Sequence, residues 1–307
     1  MSRYRGRFAP SPTGRSHLGT ARTALVAWLR ARSEHGVLVM RIEDLDEPRV
    51  VPGAAQAILD DLRWLGLDWD EGPDVGGPLG PYTQRERLDR YGAAIERLEA
   101  AGVLFRCTCT RKELAGSRSA PHAEEPIYPG TCRHGPSHPE RTPALRFRLD
   151  APPTFVDALR GPSGPGLGAG DFVVRRADGL YTYQLAVSVD DLQMEITEVV
   201  RADDLLDSTP RQIALLRALG ADPPAYLHVP LVLGADGERL GKRHGSLAIS
   251  ELRARGVCAE RIVALLARSL GLCAENVTEI DARALVSRFE LARLPRTPVP
   301  LAENVLR

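Results

Sequence analysis

The chain has 307 residues, 43% hydrophobic and 26% charged, enough for one large or two modest folded domains, and disorder is excluded as the default state. Its 40 basic and 40 acidic residues balance to a formal net charge of zero, so any contact with nucleic acid must come from local patches and not from a global field. No apolar run is long enough to cross a bilayer and the opening MSRYRGRFAP lacks the apolar stretch of a secretory signal, so a cytoplasmic protein without a membrane partner is expected.

In chain order, a short strand is predicted to end near Phe8, followed by a Pro/Ser/Gly turn over Ala9 to Arg15. A helix follows with Leu18, Ala21, Leu25, Trp28 and Leu29 on one face, and Gly36 ends it. The apolar run 37–42 reads as a buried parallel strand, which completes a βαβ unit. Pro52 is expected to open a second helix with Ile58, Leu59, Leu62 and Leu65 inward, and a third runs from about Arg85 to Ala101 before Gly102. Residues 107–141 have no period and read as an insertion. Strands are predicted at 144–149, 172–176 and 196–201, with a Gly/Pro loop at 161–170. A helix at 209–219, the apolar run 226–233, a polar loop, and helical segments at 248–255, 259–270 and 281–288 complete the chain. The fold class is α/β, a doubly wound parallel sheet.

Three constellations carry chemistry. Small residues, hydroxyls and His17 crowd the first strand-to-helix turn, where helix N-terminal amides favour anions and Gly14 and Gly19 allow close backbone approach. His17 can donate to a phosphate oxygen, although a capping turn with a surface histidine fits the same residues. Far downstream, GERLGKRHG (237–245) holds Lys242, one of only two lysines beside Lys112; its ammonium suits a triphosphate, and a solvated basic turn is the plainer reading. Between them, Cys107, Cys109 and Cys132 share a stretch with Tyr128, His122, His134 and His138, which reads as metal before disulfide. Cys258 and Cys273 read as small core residues.

FAPSPTG (8–14) with HLGT (17–20), RIEDLD (41–46), YQLAVSVDD (183–191), VVRADDLLDSTPRQI (199–213) and RLGKR (239–243), in this order, resemble the class I glutamyl-tRNA synthetases. Within that family the chain is most similar to the short glutamyl-queuosine tRNA(Asp) synthetases. Only residues 243–307 follow Lys242, where full-length glutamyl-tRNA synthetases continue into an anticodon-binding region, and CTC with YPGTC resembles the three-cysteine, one-tyrosine zinc site of the short enzymes. There are departures: Arg239, Gly241 and Arg243 stand where the class signature has Lys, Ser and Ser, Thr20 replaces the class histidine, and VVRADD lacks the glycine of the usual VVRGAD.

The resemblance implies a Rossmann-like catalytic domain in two halves, 1–102 and 166–235, a zinc-binding insertion at 103–165, and a lysine loop with a small helical C-terminal region at 236–307 that lacks an anticodon-binding domain. It implies glutamate binding by Arg7, Ala9, Ser11, Glu43, Tyr183 and Arg201, ATP binding by Thr13, His17, Gly19 and Lys242, catalysis by His17 and Lys242, and one structural zinc on Cys107, Cys109, Tyr128 and Cys132. Glutamate presents an ammonium and a side-chain carboxylate; Glu43 suits the first and Arg201 with Arg7 the carboxylates, though Glu43 and Arg41 also fit as plain edge-of-sheet charges. As fourth zinc ligand His122 or His134 competes with Tyr128, imidazole being the more usual choice. Implied partners are ATP with Mg2+, L-glutamate and tRNA(Asp), for a monomer. The implied reaction is tRNA-independent formation of glutamyl adenylate and transfer to queuosine. The alternatives are a truncated glutamyl-tRNA synthetase charging the tRNA 3′ end and a non-catalytic zinc-stapled RNA-binding paralogue.

Overall fold

The computed structural model describes residues 3–115, 128–164, 170–234 and 248–301. Its elements run β1 (Arg5–Phe8), α1 (Leu18–Ser33), β2 (Val37–Met40), α2 (Ala54–Trp64), α3 (Leu88–Ala100), β3 (Leu104–Cys107), α4 (Arg111–Ala115), β4 (Ala144–Phe147), β5 (Phe155–Asp157), β6 (Gly161–Ser163), β7 (Phe172–Arg175), α5 (Tyr183–Gln193), β8 (Glu198–Ala202), α6 (Thr209–Ala218), β9 (Ala225–Val229), β10 (Val232–Leu233), α7 (Ile249–Ala254), α8 (Ala259–Ser269) and β11 (Val299–Pro300).

The main sheet has the order β2-β1-β8-β9-β5-β6; every pair is parallel except β5 with β6. This is the expected doubly wound α/β architecture. Alternate strand residues divide between its faces: Leu38, Met40, Val200 and Leu227 join the core with α1 and α8, whereas Val39, Val199 and Tyr226 join Ile213 of α6 on the other side. Strand order reverses between β1 and β8, and a crevice opens there at the carboxyl ends of the strands, the usual ligand position in such sheets.

Several local expectations change. α1 is buried nearly all round, from Leu18 through Ala31, because α8 covers the side turned from the sheet. α2 begins at Ala54 and not at Pro52, since Gly53 takes φ +78° at the cap and breaks the helical path after the proline. The Gly/Pro stretch holds a strand, β6, paired antiparallel with β5 after Gly161 turns the chain at φ +79°. The segment 281–288 is a 3-10 helix capped by the Asp281 carboxylate on the Arg283 amide. α5 was not expected as a helix: its face bearing Asp190 and Asp191 is buried against arginines, so it has no polar side to give a 3.6-residue period.

A separate antiparallel sheet, β3-β4-β7, carries the cysteine stretch and packs through Phe147 and Phe172 onto α3 and α5. Cys258 caps α8, and Cys273 packs at the core edge. No helix among the described residues is long and apolar enough to cross a membrane.

Candidate active site

The crevice between β1 and β8 encloses a cavity of about 500 Å3. Arg7, Ala9, Ser11, Thr13, His17, Gly19, Glu43, Tyr183 and Arg201 all line it, brought together from four separate stretches of the sequence. Lys242, with Arg239, Gly241 and Arg243, lies outside the described residues. The described chain resumes at Ala248, which forms an antiparallel bridge to His17.

His17 is the N-cap of α1. Its Nδ1 accepts from the Thr20 amide at 3.2 Å, so the ring proton of the neutral imidazole sits on Nε2, 3.1 Å from the Thr20 hydroxyl. A backbone cap thereby sets which nitrogen is the donor. Gly19 lets the ring fold back: a Cβ there would stand 3.1 Å from His17 Nδ1 and 3.2 Å from Cε1.

Beneath the cavity lies a charge network that no sequence motif had outlined in full. Asp191 accepts from Arg41 Nη1 at 2.7 Å and Arg7 Nε at 3.2 Å, and Arg41 Nη2 donates to Glu43 Oε1 at 3.0 Å. Asp190 takes Arg87 at 2.6 Å, Gln84 at 2.8 Å and the Tyr91 hydroxyl at 3.0 Å. Arg41 is thus a buried brace and not an edge-of-sheet charge. Burial pushes the Glu43 carboxyl up from its ordinary range, against the pull of Arg41 and Arg7. At Asp191 burial acts in the same sense, but Arg7 and Arg41 outweigh it and hold the group down.

Arg201 is different. It is 3% exposed, yet its acceptors are all neutral: His228 Nε2 at 3.0 Å, Gln212 Oε1 at 2.8 Å, Thr209 Oγ1 at 2.8 Å, the Leu205 carbonyl at 3.3 Å and Tyr183 Oη at 3.5 Å. A buried guanidinium with no carboxylate among these acceptors, at the wall of an open cavity, has the chemistry to receive an anionic group. Arg22, not singled out from the sequence, also lines the cavity and donates to the Pro230 carbonyl and to Ser269, tying α1 to the end of β9 and to α8; burial lowers it to about 10.

In the insertion the sulfurs of Cys107, Cys109 and Cys132 lie within 4.8 Å of one another, and this group can hold a metal ion. The Tyr128 hydroxyl is 3.4 Å from Cys107 Sγ and 3.8 Å from Cys109 Sγ, and accepts from the Cys132 amide at 2.8 Å. Tetrahedral zinc with bonds of about 2.3 Å leaves sulfurs about 3.8 Å apart; those of Cys109 and Cys132 are 3.6 Å apart, so the donor set fits. Neither His134 nor His138 joins the group, His138 turning to Glu113 and Glu140 instead, and His122 lies outside the described residues.

A six-stranded sheet with its crevice at the strand-order reversal, a capped histidine at the first turn and a cysteine-bearing insertion define a nucleotide-dependent enzyme of the class I synthetase type. The family model of tRNA synthetases class I (E and Q), catalytic domain, matches residues 3–303. A glutamyl-Q tRNA(Asp) synthetase of Symbiobacterium thermophilum is 52% identical over 98% of this chain and 97% of its own length, and one of Nitratidesulfovibrio vulgaris is 48% identical over the same shares. A glutamate–tRNA ligase of an Anaeromyxobacter species is 46% identical over 87% of this chain but 58% of its own length. The crystal structure of a glutamate tRNA ligase from Elizabethkingia meningosepticum, in complex with its amino acid, superposes with a TM-score of 0.85 at 28% identity, covering 99% of this chain and 68% of that one. The chain belongs to the class I tRNA synthetases of the glutamate and glutamine branch, within the glutamyl-Q tRNA(Asp) synthetase group.

Proposed function

We propose that this chain activates L-glutamate with ATP, without needing tRNA, and transfers it to queuosine in the anticodon of tRNA(Asp). The observation that carries the reading is the buried Arg201 guanidinium, met only by neutral acceptors, facing the same cavity as Glu43. In this reading Arg201 takes the side-chain carboxylate. Arg7, whose Nε and Nη1 are engaged by Asp191 and the Val200 carbonyl, offers Nη2 to a carboxylate. Glu43, with Oε1 on Arg41, offers Oε2 to the ammonium; a bound cation also offsets the burial that raises its pKa. Tyr183 closes the pocket against Arg201, and Ala9 and Ser11 shape its floor.

The α-carboxylate attacks the α-phosphorus of ATP, pyrophosphate leaves, and an acceptor hydroxyl then attacks the carbonyl carbon, releasing AMP. Thr13, His17 and Gly19 form the phosphate-facing turn, with His17 Nε2–H the donor to developing negative charge. Lys242 is assigned to the same phosphate-facing turn in this reading; the described chain resumes at Ala248, which bridges His17. Magnesium accompanies ATP and neutralises phosphate charge when bound. One zinc on Cys107, Cys109, Tyr128 and Cys132 supplies a closed structural staple. The pairings of β5 with β9 and β7 with β4 lead us to draw the insertion as interleaved with the main sheet, its own part being β3, β4 and β7. A cytoplasmic monomer is in keeping with this activity.

End-to-end similarity to relatives named glutamyl-Q tRNA(Asp) synthetase, against 58% coverage of the glutamate–tRNA ligase, favours the anticodon base over the tRNA 3′ end. The test uses labelled glutamate, ATP and tRNA(Asp) with or without queuosine, and with or without its terminal adenosine. Label that requires queuosine and survives loss of the adenosine is expected; label lost with the adenosine means 3′-end charging. Glutamate-dependent ATP–pyrophosphate exchange without tRNA is expected, and its loss in Lys242→Ala supports the lysine's role.

A further inference from the structure

Arg201 and His228 are register partners on the parallel strands β8 and β9, so their side chains leave the sheet on the same face. His228 is fully buried, and neither it nor Asp157 belongs to any motif of the sequence resemblance. A guanidinium Nε–H can only donate. The 3.0 Å contact from Arg201 Nε therefore requires an unprotonated Nε2 on His228, and the ring proton then lies on Nδ1, 2.7 Å from Asp157 Oδ2. Asp157 is itself pinned by backbone amides: Oδ2 accepts from His228, and Oδ1 from Leu159 at 3.0 Å and Arg160 at 2.9 Å. Donation thus runs from the Arg201 guanidinium through the His228 imidazole to the Asp157 carboxylate, which the backbone amides hold in place. Thr209 completes the fit, its hydroxyl accepting from Arg201 Nη2 while standing 3.2 Å from His228 Nε2.

We propose that Asp157 and His228 form a positioning relay that holds the Arg201 guanidinium by a neutral acceptor, leaving its charge uncompensated to select a side-chain carboxylate over the amide. The inference rests on the reading of the cavity as a glutamate pocket. A carboxylate beside Arg Nε would fix the fork equally well but would cancel the charge that the substrate must answer; an imidazole locked in its Nδ1–H form fixes without cancelling. Burial is the largest influence on His228 and, although Asp157 opposes it, holds the imidazole down at about 4, so the neutral form persists at physiological pH.

Two measurements test the relay. Nitrogen-15 NMR of the wild-type protein, with the His228 signals assigned by their loss in His228→Gln, should show Nδ1 protonated and Nε2 bare; an Nε2–H tautomer overturns the relay whatever the enzyme does. Exchange kinetics should show His228→Ala raising KM for glutamate by about tenfold to a hundredfold while KM for ATP moves less than roughly twofold, with poorer rejection of glutamine. His228→Gln, whose Oε1 can accept from Arg201, should return glutamate KM to within about fivefold of wild type. An unchanged glutamate KM in His228→Ala, or equal losses toward glutamate and ATP, overturns the proposal. A wild-type protein that neither exchanges with glutamate nor binds it by calorimetry instead overturns the glutamate reading itself, and with it the ligand assigned to Arg201.

Discussion

The Asp191 carboxylate of α5 and the Arg41 guanidinium just beyond β2 meet at 2.7 Å across 150 positions of sequence, and the same Asp191 oxygen also takes Arg7 from β1. One side chain therefore braces the ends of two neighbouring strands from below the cavity. Asp191→Ala leaves two buried guanidiniums short of a counter-ion, and a loss of about 3 to 5 kcal/mol is expected in urea unfolding. The sign of the pH effect follows from the lowered Asp191 pKa: its stabilisation is complete above the unfolded value of about 3.9 and disappears as pH falls through the lower folded value. Asp191→Asn should remove that part of the acid-induced loss.

Asp61 on α2 carries the opposite sign. It is buried, its Oδ2 has no hydrogen-bond partner, and burial pushes it from 3.8 up to about 6, only partly offset by Arg253. The folded state holds this proton more tightly than the unfolded chain, so stability falls as pH rises from about 4 through about 6. Relative to wild type, Asp61→Asn should gain stability over that window, reaching on the order of 1 kcal/mol at pH 7. Parallel thermal melts at pH 4 and pH 7 check it; equal differences at both would refute the buried-carboxyl account.

Gly19→Ala separates stability from activity. Alanine is the better helix former near the start of α1, by about 1 kcal/mol at most, so the fold should hold or strengthen. Its methyl group would stand 3.1 Å from His17 Nδ1, however, so the imidazole must give way by a few tenths of an ångström, which shifts the ring while leaving the helix in place. Exchange activity should drop by about tenfold or more with an unchanged melting temperature.

Tyr128→Phe tests the fourth metal ligand. The ring stays under the Arg146 guanidinium, 4.0 Å from its centroid, and beside Phe105, so packing survives while the hydroxyl is lost. Zinc should still bind, with affinity weakened about tenfold to a hundredfold in chelator competition. Cys132→Ser should bind none stoichiometrically, and its melting transition should become insensitive to chelator. Equal zinc affinity in Tyr128→Phe and wild type would assign the fourth position to another group.

Much of the site was legible because each motif is local. His17 and Gly19 belong to one turn, Cys107 and Cys109 to one strand end, and a parallel sheet carries residues at strand ends to one crevice, so Arg7, Glu43 and Arg201 converge there. α5 was harder to read: YQLAVSVDDLQ lacks an exposed polar face, since its two aspartates are buried against Arg41 and Arg87. The β5–β6 hairpin hid in a stretch whose glycines and prolines resemble a loop, and its pairing to β9 is a long-range event.

By itself the sequence determined the alternation of strands and helices, the capped first turn and the clustered thiols, because these depend on residues close in the chain. Which charges are answered and which are left open was decided only by tertiary structure. Asp157 and His228 stand 71 positions apart, His228 and Arg201 are joined by strand register, and Asp191 reaches Arg7 across the sheet. In a buried, low-dielectric crevice it is this pairing that leaves Arg201 without a carboxylate partner among the described residues, and no local pattern of residues encodes it.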